Sequence, residues 1–248
     1  MKKGLINFSM TLFFAAGLIT PVYAQTDSLK LPEPYATPVV NNFSKVLGWP
    51  AGQKPVAPAG FTVTKFADNF QNPRWIYVAP NGDIFVTEAA TEAPEKVEYD
   101  KMGTAKTESQ NYGSANEIIL FRDTDGNGTY RSRHVYKTGL NQPFGMLVIG
   151  KHFYVANTDA LLRFDYNEKS KELSGSGQKI VDLPAGGYNN HWTRNIITNA
   201  QQNKIYISVG SASNNAEYGI ETERRRACIL EVNLDGSDEI IYASGLRN

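Results

Sequence analysis

Short stretches of the chain alternate hydrophobic with polar residues, and Gly, Pro, Asn or Asp residues separate these stretches. Segments such as 84–88 and 204–208 have the length and the two-residue period of β-strands, and long stretches with helical spacing are scarce. We predict thirteen strands, the first over residues 61–66 and the last over residues 240–244. The pattern therefore predicts a protein that is nearly all β.

An internal repeat accompanies these strands. Segments 65–73, 135–143, 180–188 and 241–248 share one plan, in which a turn joins two apolar strands. In three of them a Phe or Leu stands two positions before an Asn or Gln: Phe70/Asn72, Leu140/Gln142 and Leu246/Asn248. The last two pairs are separated by two repeats of about 53 residues, close to the length of a four-stranded β-propeller blade.

The repeat predicts about three propeller blades, with a polar insertion over residues 89–116 in the first. A propeller needs at least four blades to close, and an open arc would expose a strand edge and an apolar blade face. We therefore expect residues 60–248 to be the N-terminal half of a propeller domain that is truncated at the start of the next blade. A ring built from several three-bladed chains is the alternative.

The N-terminus has the composition of a signal peptide. A basic start, an apolar run over residues 10–19 and the small residue Ala24 predict cleavage after residue 24 and export to the periplasm or the medium. The apolar run is too short to span a membrane and no later stretch is longer, so we expect no membrane anchor. Residues 25–59 are rich in Pro and predict an extended leader. An uncleaved cytosolic N-terminus is the alternative.

Charge and cysteine content exclude several classes of protein. The chain has 25 basic and 25 acidic residues and no strongly basic stretch, so nucleic acid is not an expected partner. The single cysteine, Cys228, can form neither an internal disulfide nor a cysteine-rich zinc site. Its position far downstream of the apolar run also excludes lipidation after the signal peptide.

Three residues lie where the repeat predicts the mouth of the central channel. His191 belongs to a polar loop that enters a predicted innermost strand, where an imidazole can act as a general base. Arg247 and Asn248 occupy the corresponding turn one blade later, and they suit a ligand that carries carboxylates and carbonyls. The alternatives are a hydrogen-bonded loop histidine and an Asn-capped turn with a solvated arginine.

Two further motifs favour structural roles. Residues 123–129 begin like a calcium loop, but the twelfth position is His134 instead of the glutamate that an EF-hand requires, so a hairpin turn is favoured. Residues 223–226 are a run of one glutamate and three arginines before a strand, which is typical of a solvated edge.

Four segments together carry a family resemblance: residues 186–195, 203–211, 225–237 and 243–248. They resemble, in order, motifs of the glucose/sorbosone dehydrogenase family, and the likeness extends from about Gly60 to Asn248. The resemblance implies a secreted, six-bladed β-propeller, of which this chain covers roughly the first three blades. It also implies pyrroloquinoline quinone (PQQ) and Ca²⁺ as cofactors.

The resemblance further implies roles for five residues. His191 matches the base that takes the hydroxyl proton of a sugar or hydrated aldehyde as hydride moves to the quinone. Arg247 and Asn248 match the pair that contacts the quinone, and Arg194 is grouped with them as a supporting residue of the His191 motif. Gln142, at the equivalent turn of the preceding blade, is the substrate candidate. The calcium ligands are not identified, and the family pattern places them after Asn248.

We therefore expect a quinone-dependent dehydrogenase of sugars or sugar-derived aldehydes, with a small-molecule substrate and an external electron acceptor. One alternative is a calcium-dependent lactonase on a similar propeller, with a metal-activated water in place of the quinone. Another is a propeller that binds carbohydrate without catalysis. A nicotinamide enzyme is disfavoured because no Gly-x-Gly-x-x-Gly motif follows a strand and opens a helix.

Overall fold

Three four-stranded antiparallel sheets follow one another in the computed structural model of the protein. The structure describes residues 47–92, 113–214, 216 and 218–246, which belong to one unit spanning residues 43–248. A 3₁₀ turn at Ile220–Glu223 is the one helical element in these ranges. The strands are β1 (Pro73–Val78), β2 (Ile84–Glu88), β3 (Glu117–Arg122), β4 (Ser132–Lys137), β5 (Met146–Ile149), β6 (His152–Ala156), β7 (Ala160–Asp165), β8 (Gln178–Asp182), β9 (Ile196–Thr198), β10 (Lys204–Val209), β11 (Cys228–Asn233) and β12 (Ile240–Ala243).

Each sheet uses four consecutive strands in chain order, so that β1–β4, β5–β8 and β9–β12 each form one sheet. This is the connectivity of a propeller blade. All twelve strands coincide with predicted strands to within two residues at either end, and the prediction of an all-β protein is confirmed. The number of blades in the complete propeller remains a prediction.

The predicted strand at residues 61–66 is not a strand in the structure. Its alternating pattern is typical of a strand, but no strand of the described ranges pairs with it. Phe66 instead packs against Phe121 of β3 and Tyr130 of the β3–β4 loop, with ring centroids at 5.2 and 5.7 Å. An alternating pattern makes a strand only where a neighbouring strand accepts its backbone hydrogen bonds.

The repeated turn is present in the backbone as well as in the sequence. Asn69, Gly139 and Gly245 occupy equivalent positions and have φ values of 57°, 70° and 73°. Three positions after the first two of these, Asn72 and Gln142 have φ values of 59° and 46°. Glycine adopts this left-handed region freely and Asn tolerates it better than most residues. The same turn thus leads into the first strand of the first two sheets.

The core lies between consecutive sheets. The first and second sheets meet through a cluster that includes Phe85 and Phe153, with ring centroids 5.0 Å apart. The second and third sheets share a cluster that includes Tyr154 and Leu230. The turn after β11 approaches β8 so closely that a Cβ on Gly236 would lie 2.0 Å from the carbonyl oxygen of Ile180. Only glycine fits there.

The antiparallel order places two kinds of loop at one end of each sheet, which we call the loop end. These are the loops that precede β1, β5 and β9 and the loops that join β2 to β3, β6 to β7 and β10 to β11. The β2–β3 loop contains the predicted insertion, of which residues 93–112 lie outside the described ranges. His191 and Gln142 both belong to loops of this end.

The described part of the leader, residues 47–59, contains no helix or strand. The predicted signal peptide, residues 1–24, lies outside the described residues, as do Arg247 and Asn248. In the ranges that the structure describes, no helix has the length and hydrophobicity needed to cross a membrane.

Candidate active site around His191

His191 lies in the long loop between β8 and β9 and is partly exposed. Its Nδ1 atom is 2.9 Å from the carbonyl oxygen of Ser211 and 3.0 Å from the hydroxyl oxygen of the same residue. The Ser211 hydroxyl donates its own proton to the carbonyl of Ser213, at 2.8 Å. Both oxygens near Nδ1 therefore act as acceptors, and the imidazole proton must reside on Nδ1.

This tautomer decides what His191 can do. With the proton on Nδ1, the Nε2 atom carries a lone pair and is a proton acceptor. Within the part of the chain that the structure describes, Nε2 has no hydrogen-bond partner. The ring is thus held in the form that a general base requires, with the second nitrogen available for a substrate hydroxyl.

Arg194 holds the His191 loop from inside the protein. Its side chain is completely buried, and its guanidinium donates to the carbonyl oxygens of His191, Thr193 and Pro184 at 2.7, 3.1 and 2.8 Å. A fourth bond reaches the Asn189 side-chain oxygen at 3.1 Å. Burial, with a smaller contribution from the nearby positive charge of Arg226, lowers the pKa of Arg194 to about 10. In this structure Arg194 contacts the loop and has no surface open to a cofactor.

The charge run at residues 223–226 is only partly the solvated edge that the sequence predicted, because Arg224 is exposed whereas Glu223 and Arg226 are engaged inside the loop end. Arg226 is 6% exposed and donates to the Asn189 oxygen at 2.7 Å, so this oxygen accepts from Arg194 as well. The Glu223 carboxylate accepts from the backbone amides of Ala212 and Ser213 at 2.7 and 3.1 Å. Loops that bury backbone groups need charged partners of this kind, because they lack the hydrogen bonds of a sheet.

These contacts join the three sheets at the loop end. The Asn189 amide donates to the Thr158 hydroxyl in the β6–β7 loop at 2.9 Å. Gly145, just before β5, donates its amide proton to the Arg194 carbonyl at 2.9 Å. The Trp192 indole donates to the Thr91 hydroxyl at 3.0 Å. The position of His191 therefore depends on all three sheets.

Arg74 is a site candidate that the sequence analysis missed. It is the second residue of β1, and its guanidinium carbon lies 5.0 Å from the ring centroid of Trp192, the residue after His191. Among the described residues its side chain has no acidic partner. Burial of part of the side chain lowers its pKa. The repeat could have indicated Arg74, since it places the start of β1 beside the loops before β5 and β9.

Gln142 is close to this site but turned away from open space. It is 3% exposed, and its amide nitrogen donates to the Ala90 carbonyl at 2.8 Å. Gln142 and Trp192 thus both anchor the first residues of the β2–β3 insertion. The Gln142 side chain is thus buried at the loop end, and its amide would have to turn toward solvent to contact a substrate directly.

The loop over residues 123–129 is a hairpin turn, as the sequence favoured, because it joins the antiparallel strands β3 and β4. The Asp123 carboxylate accepts backbone protons of Gly128, Asn127 and Asp125, and these hydrogen bonds lower its pKa. The turn lies at the opposite end of the sheet from the loop end. In the described ranges, no group of three or more His, Cys, Asp or Glu residues is arranged to hold a metal ion.

The four-stranded sheets define a β-propeller domain, and its loop end carries a histidine with the proton on Nδ1. The family model of the TrAA12-like proteins matches residues 55–246 of the chain. The chain belongs to this family.

Two solved structures show the same fold. The holo form of the PQQ domain of pyranose dehydrogenase from Coprinopsis cinerea has a TM-score of 0.58 and 19% identity, over 80% of this chain and 44% of that chain. The iodide structure of the Carbohydrate-Active Enzymes Family AA12 protein from Trichoderma reesei has a TM-score of 0.53 and 16% identity, over 79% of this chain and 43% of that chain. The chain thus spans less than half the length of either structure. No curated protein matches the chain.

These comparisons refine the family prediction. The predicted likeness in fold to a PQQ-dependent sugar dehydrogenase is confirmed, since the PQQ domain of a pyranose dehydrogenase shares the fold of this chain. The family found is the TrAA12-like family, whereas membership of the glucose/sorbosone dehydrogenase family remains a prediction.

Proposed function

We propose that the protein is an oxidoreductase that oxidises a sugar or sugar-derived aldehyde with PQQ, and that His191 is its general base. Membership of the TrAA12-like family and the fold shared with a pyranose dehydrogenase PQQ domain support the class of reaction. The single observation that carries the role of His191 is its tautomer. Two acceptors at 2.9 and 3.0 Å keep the proton on Nδ1 and leave Nε2 to accept one.

In this proposal Nε2 takes the proton of the sugar hydroxyl that is oxidised. The ring becomes positively charged, and the hydrogen bond from Nδ1 to the Ser211 carbonyl strengthens because its donor is then charged. Arg194 is a positioning residue, since its bonds to the His191 and Thr193 carbonyls fix the loop that carries the base. Gln142 has a second positioning role, because its amide holds the Ala90 carbonyl at the start of the β2–β3 insertion.

The residues of the loop end fit an anionic quinone. PQQ is planar and carries several carboxylates, so it needs cationic groups and hydrogen-bond donors around a flat space. Arg74 offers a guanidinium that lacks an acidic partner among the described residues and stands over Trp192. We propose that Arg74 holds a quinone carboxylate and that Arg247 and Asn248 contact the quinone from the following turn. When bound, the quinone supplies the acceptor for the hydride of the substrate.

Calcium and export complete the proposal. A calcium structure of the Trichoderma reesei AA12 protein matches this chain with a TM-score of 0.51 and 16% identity, over 74% of this chain and 40% of that chain, and supports Ca²⁺ as the second cofactor. We place its ligands outside the described residues. We further propose that the protein is exported through residues 1–24 and passes its electrons to an external acceptor, as the basic and apolar N-terminal pattern favours.

The test compares the full-length mature protein with its His191→Ala and His191→Gln variants. PQQ binding is followed by absorbance titration with Ca²⁺ present, and turnover by dye reduction over a panel of aldoses and aldehydes. We expect both variants to lose roughly 10²- to 10⁴-fold in turnover while PQQ affinity changes little. His152→Gln, a histidine of β6, is the matched control and should behave as wild type.

Wild-type turnover in His191→Ala would remove His191 from the mechanism. A folded protein that binds no PQQ would contradict the dehydrogenase proposal. In that case, hydrolysis of lactones with Ca²⁺ alone would identify the lactonase, and sugar binding without turnover would identify the non-catalytic propeller.

A further inference from the structure

A cavity lies at the loop end, beside the His191 loop. It has a volume of about 560 Å³ and lies between the segment that precedes His191 and the segment around the 3₁₀ turn. Eight residues line it: Pro184, Gly186, Gly187, Tyr188, Tyr218, Thr222, Arg224 and Arg226. The volume is in the range of ordinary small-ligand sites, which are about 300–1,000 Å³. The cavity therefore has room for a sugar ring.

Two tyrosine rings form one wall. Tyr188 and Tyr218 have ring centroids 4.7 Å apart and planes inclined by 44°. They are 44% and 55% exposed, which is high for rings of this size. Exposed aromatic rings offer a flat apolar surface to the C–H face of a pyranose, and their phenolic groups can bond its hydroxyls. The wall thus suits a carbohydrate.

The charge of the lining is positive. Arg224 is exposed, and its guanidinium has no ion pair or hydrogen bond among the described residues. Arg226 adds a second positive charge that is held in place by Asn189 and by the Gly186 carbonyl. In the same segment, the Glu223 carboxylate is engaged with the Ala212 and Ser213 amides, and Glu221 is exposed but does not line the cavity. The described residues that line the cavity include two arginines and no acidic residue, and this lining favours an anion.

We propose that this cavity binds a pyranose ring that carries a carboxylate, such as a hexuronate unit of an acidic oligosaccharide. The ring packs on Tyr188 and Tyr218, and Arg224 pairs with the carboxylate. Arg226 bonds the Asn189 oxygen that also accepts from Arg194, so one network supports the cavity and the His191 loop. The proposal that the cavity binds such a ring is based on the lining residues alone. Its role as part of the substrate site rests on the proposed function.

The experiment measures binding without the quinone. Trigalacturonate and the neutral cellotriose are titrated by calorimetry into the full-length protein at low and high salt. We expect trigalacturonate to bind more tightly than cellotriose and to weaken at high salt, because the contact with Arg224 is exposed to solvent. Arg224→Gln should reduce trigalacturonate affinity about tenfold, and Tyr218→Ala should do so by roughly three- to tenfold. Tyr218→Phe should keep most of the affinity.

Matched controls are present on the same chain. Arg131→Gln removes an exposed arginine and Tyr242→Ala an exposed tyrosine, neither of which lines the cavity. Both should leave trigalacturonate affinity unchanged. Equal affinity for both oligosaccharides, or wild-type affinity in Arg224→Gln, would overturn the proposal.

The two proposals fail in different ways. Quinone-dependent turnover of some sugar without any binding of trigalacturonate would overturn this inference and leave the proposed function intact. Binding that depends on Arg224 and Tyr218, in a protein without quinone-dependent turnover, would support the cavity and contradict the proposed function.

Discussion

Gly145 offers the sharpest test of how the site is positioned. This residue lies where β5 begins, and its amide donates to the Arg194 carbonyl at 2.9 Å. A Cβ added at Gly145 would lie 2.6 Å from the Ile196 nitrogen, 2.9 Å from the Arg194 oxygen and 2.9 Å from the Asn195 Cα. All three atoms belong to the backbone that leads from His191 into β9. Because backbone atoms cannot move aside as a flexible side chain can, Gly145→Ala must push the two strands apart.

The size of the effect follows from two contributions. Overpacking in a close contact costs about 2 kcal/mol, within a usual range of about 1–3 kcal/mol. Loss of the hydrogen bond between Gly145 and Arg194 adds about 1 kcal/mol. We therefore expect Gly145→Ala to lower the free energy of unfolding by about 3 kcal/mol. For a domain of this size that corresponds to a melting temperature lower by roughly 6–12 °C.

Thermal unfolding followed by far-UV circular dichroism measures this shift. Gly186→Ala is the matched control, because a Cβ at Gly186 would meet no atom within 4 Å. The control should melt within a few degrees of wild type. If the melting temperature of Gly145→Ala equals that of Gly186→Ala, the backbone contact between Gly145 and the start of β9 has room for a Cβ atom. This contact then does not position His191.

Two further predictions concern charged groups, of which Arg194 is buried and Glu117 is partly buried. Arg194→Met should lower the free energy of unfolding by about 3 kcal/mol, because the partly buried carbonyls of His191, Thr193 and Pro184 lose their donor. Urea unfolding measures this change, and equal stability of the variant and wild type would refute this role. Burial, with the adjacent Glu88 carboxyl, raises the pKa of Glu117 above its ordinary value of 4.5. The folded state therefore favours the protonated form of Glu117. The stabilisation by this protonation is complete at pH values below 4.5 and is lost as the pH rises through the raised pKa. Melting temperatures from acidic to neutral pH should show this loss in wild type and not in Glu117→Gln; parallel profiles would contradict it.

Local features of the sequence determined much of the fold. A two-residue period and turn residues are properties of short segments, so twelve strands were placed correctly from them. The repeat placed Gln142 and Asn72 at equivalent positions of the same kind of turn, and both residues have a left-handed backbone conformation in the structure. The same repeat placed His191 in a loop at the entry of a first strand. The segment at 61–66 shows the limit, because a strand also needs a partner.

Tertiary structure decided the chemistry of the site. The tautomer of His191 depends on Ser211, twenty residues away, and the engagement of Arg226 depends on Asn189. The repeat indicates only that Arg74 lies at the loop end, and its contact with Trp192 arises because β1 meets the loop of the third sheet there. Such contacts join residues that are far apart in the chain. A hydrogen bond or a buried charge of this kind leaves no periodic pattern in the sequence from which it could be predicted. The sequence therefore determined where the strands and turns lie, whereas the packing of three sheets decided which side chains are held, buried or left open to a ligand.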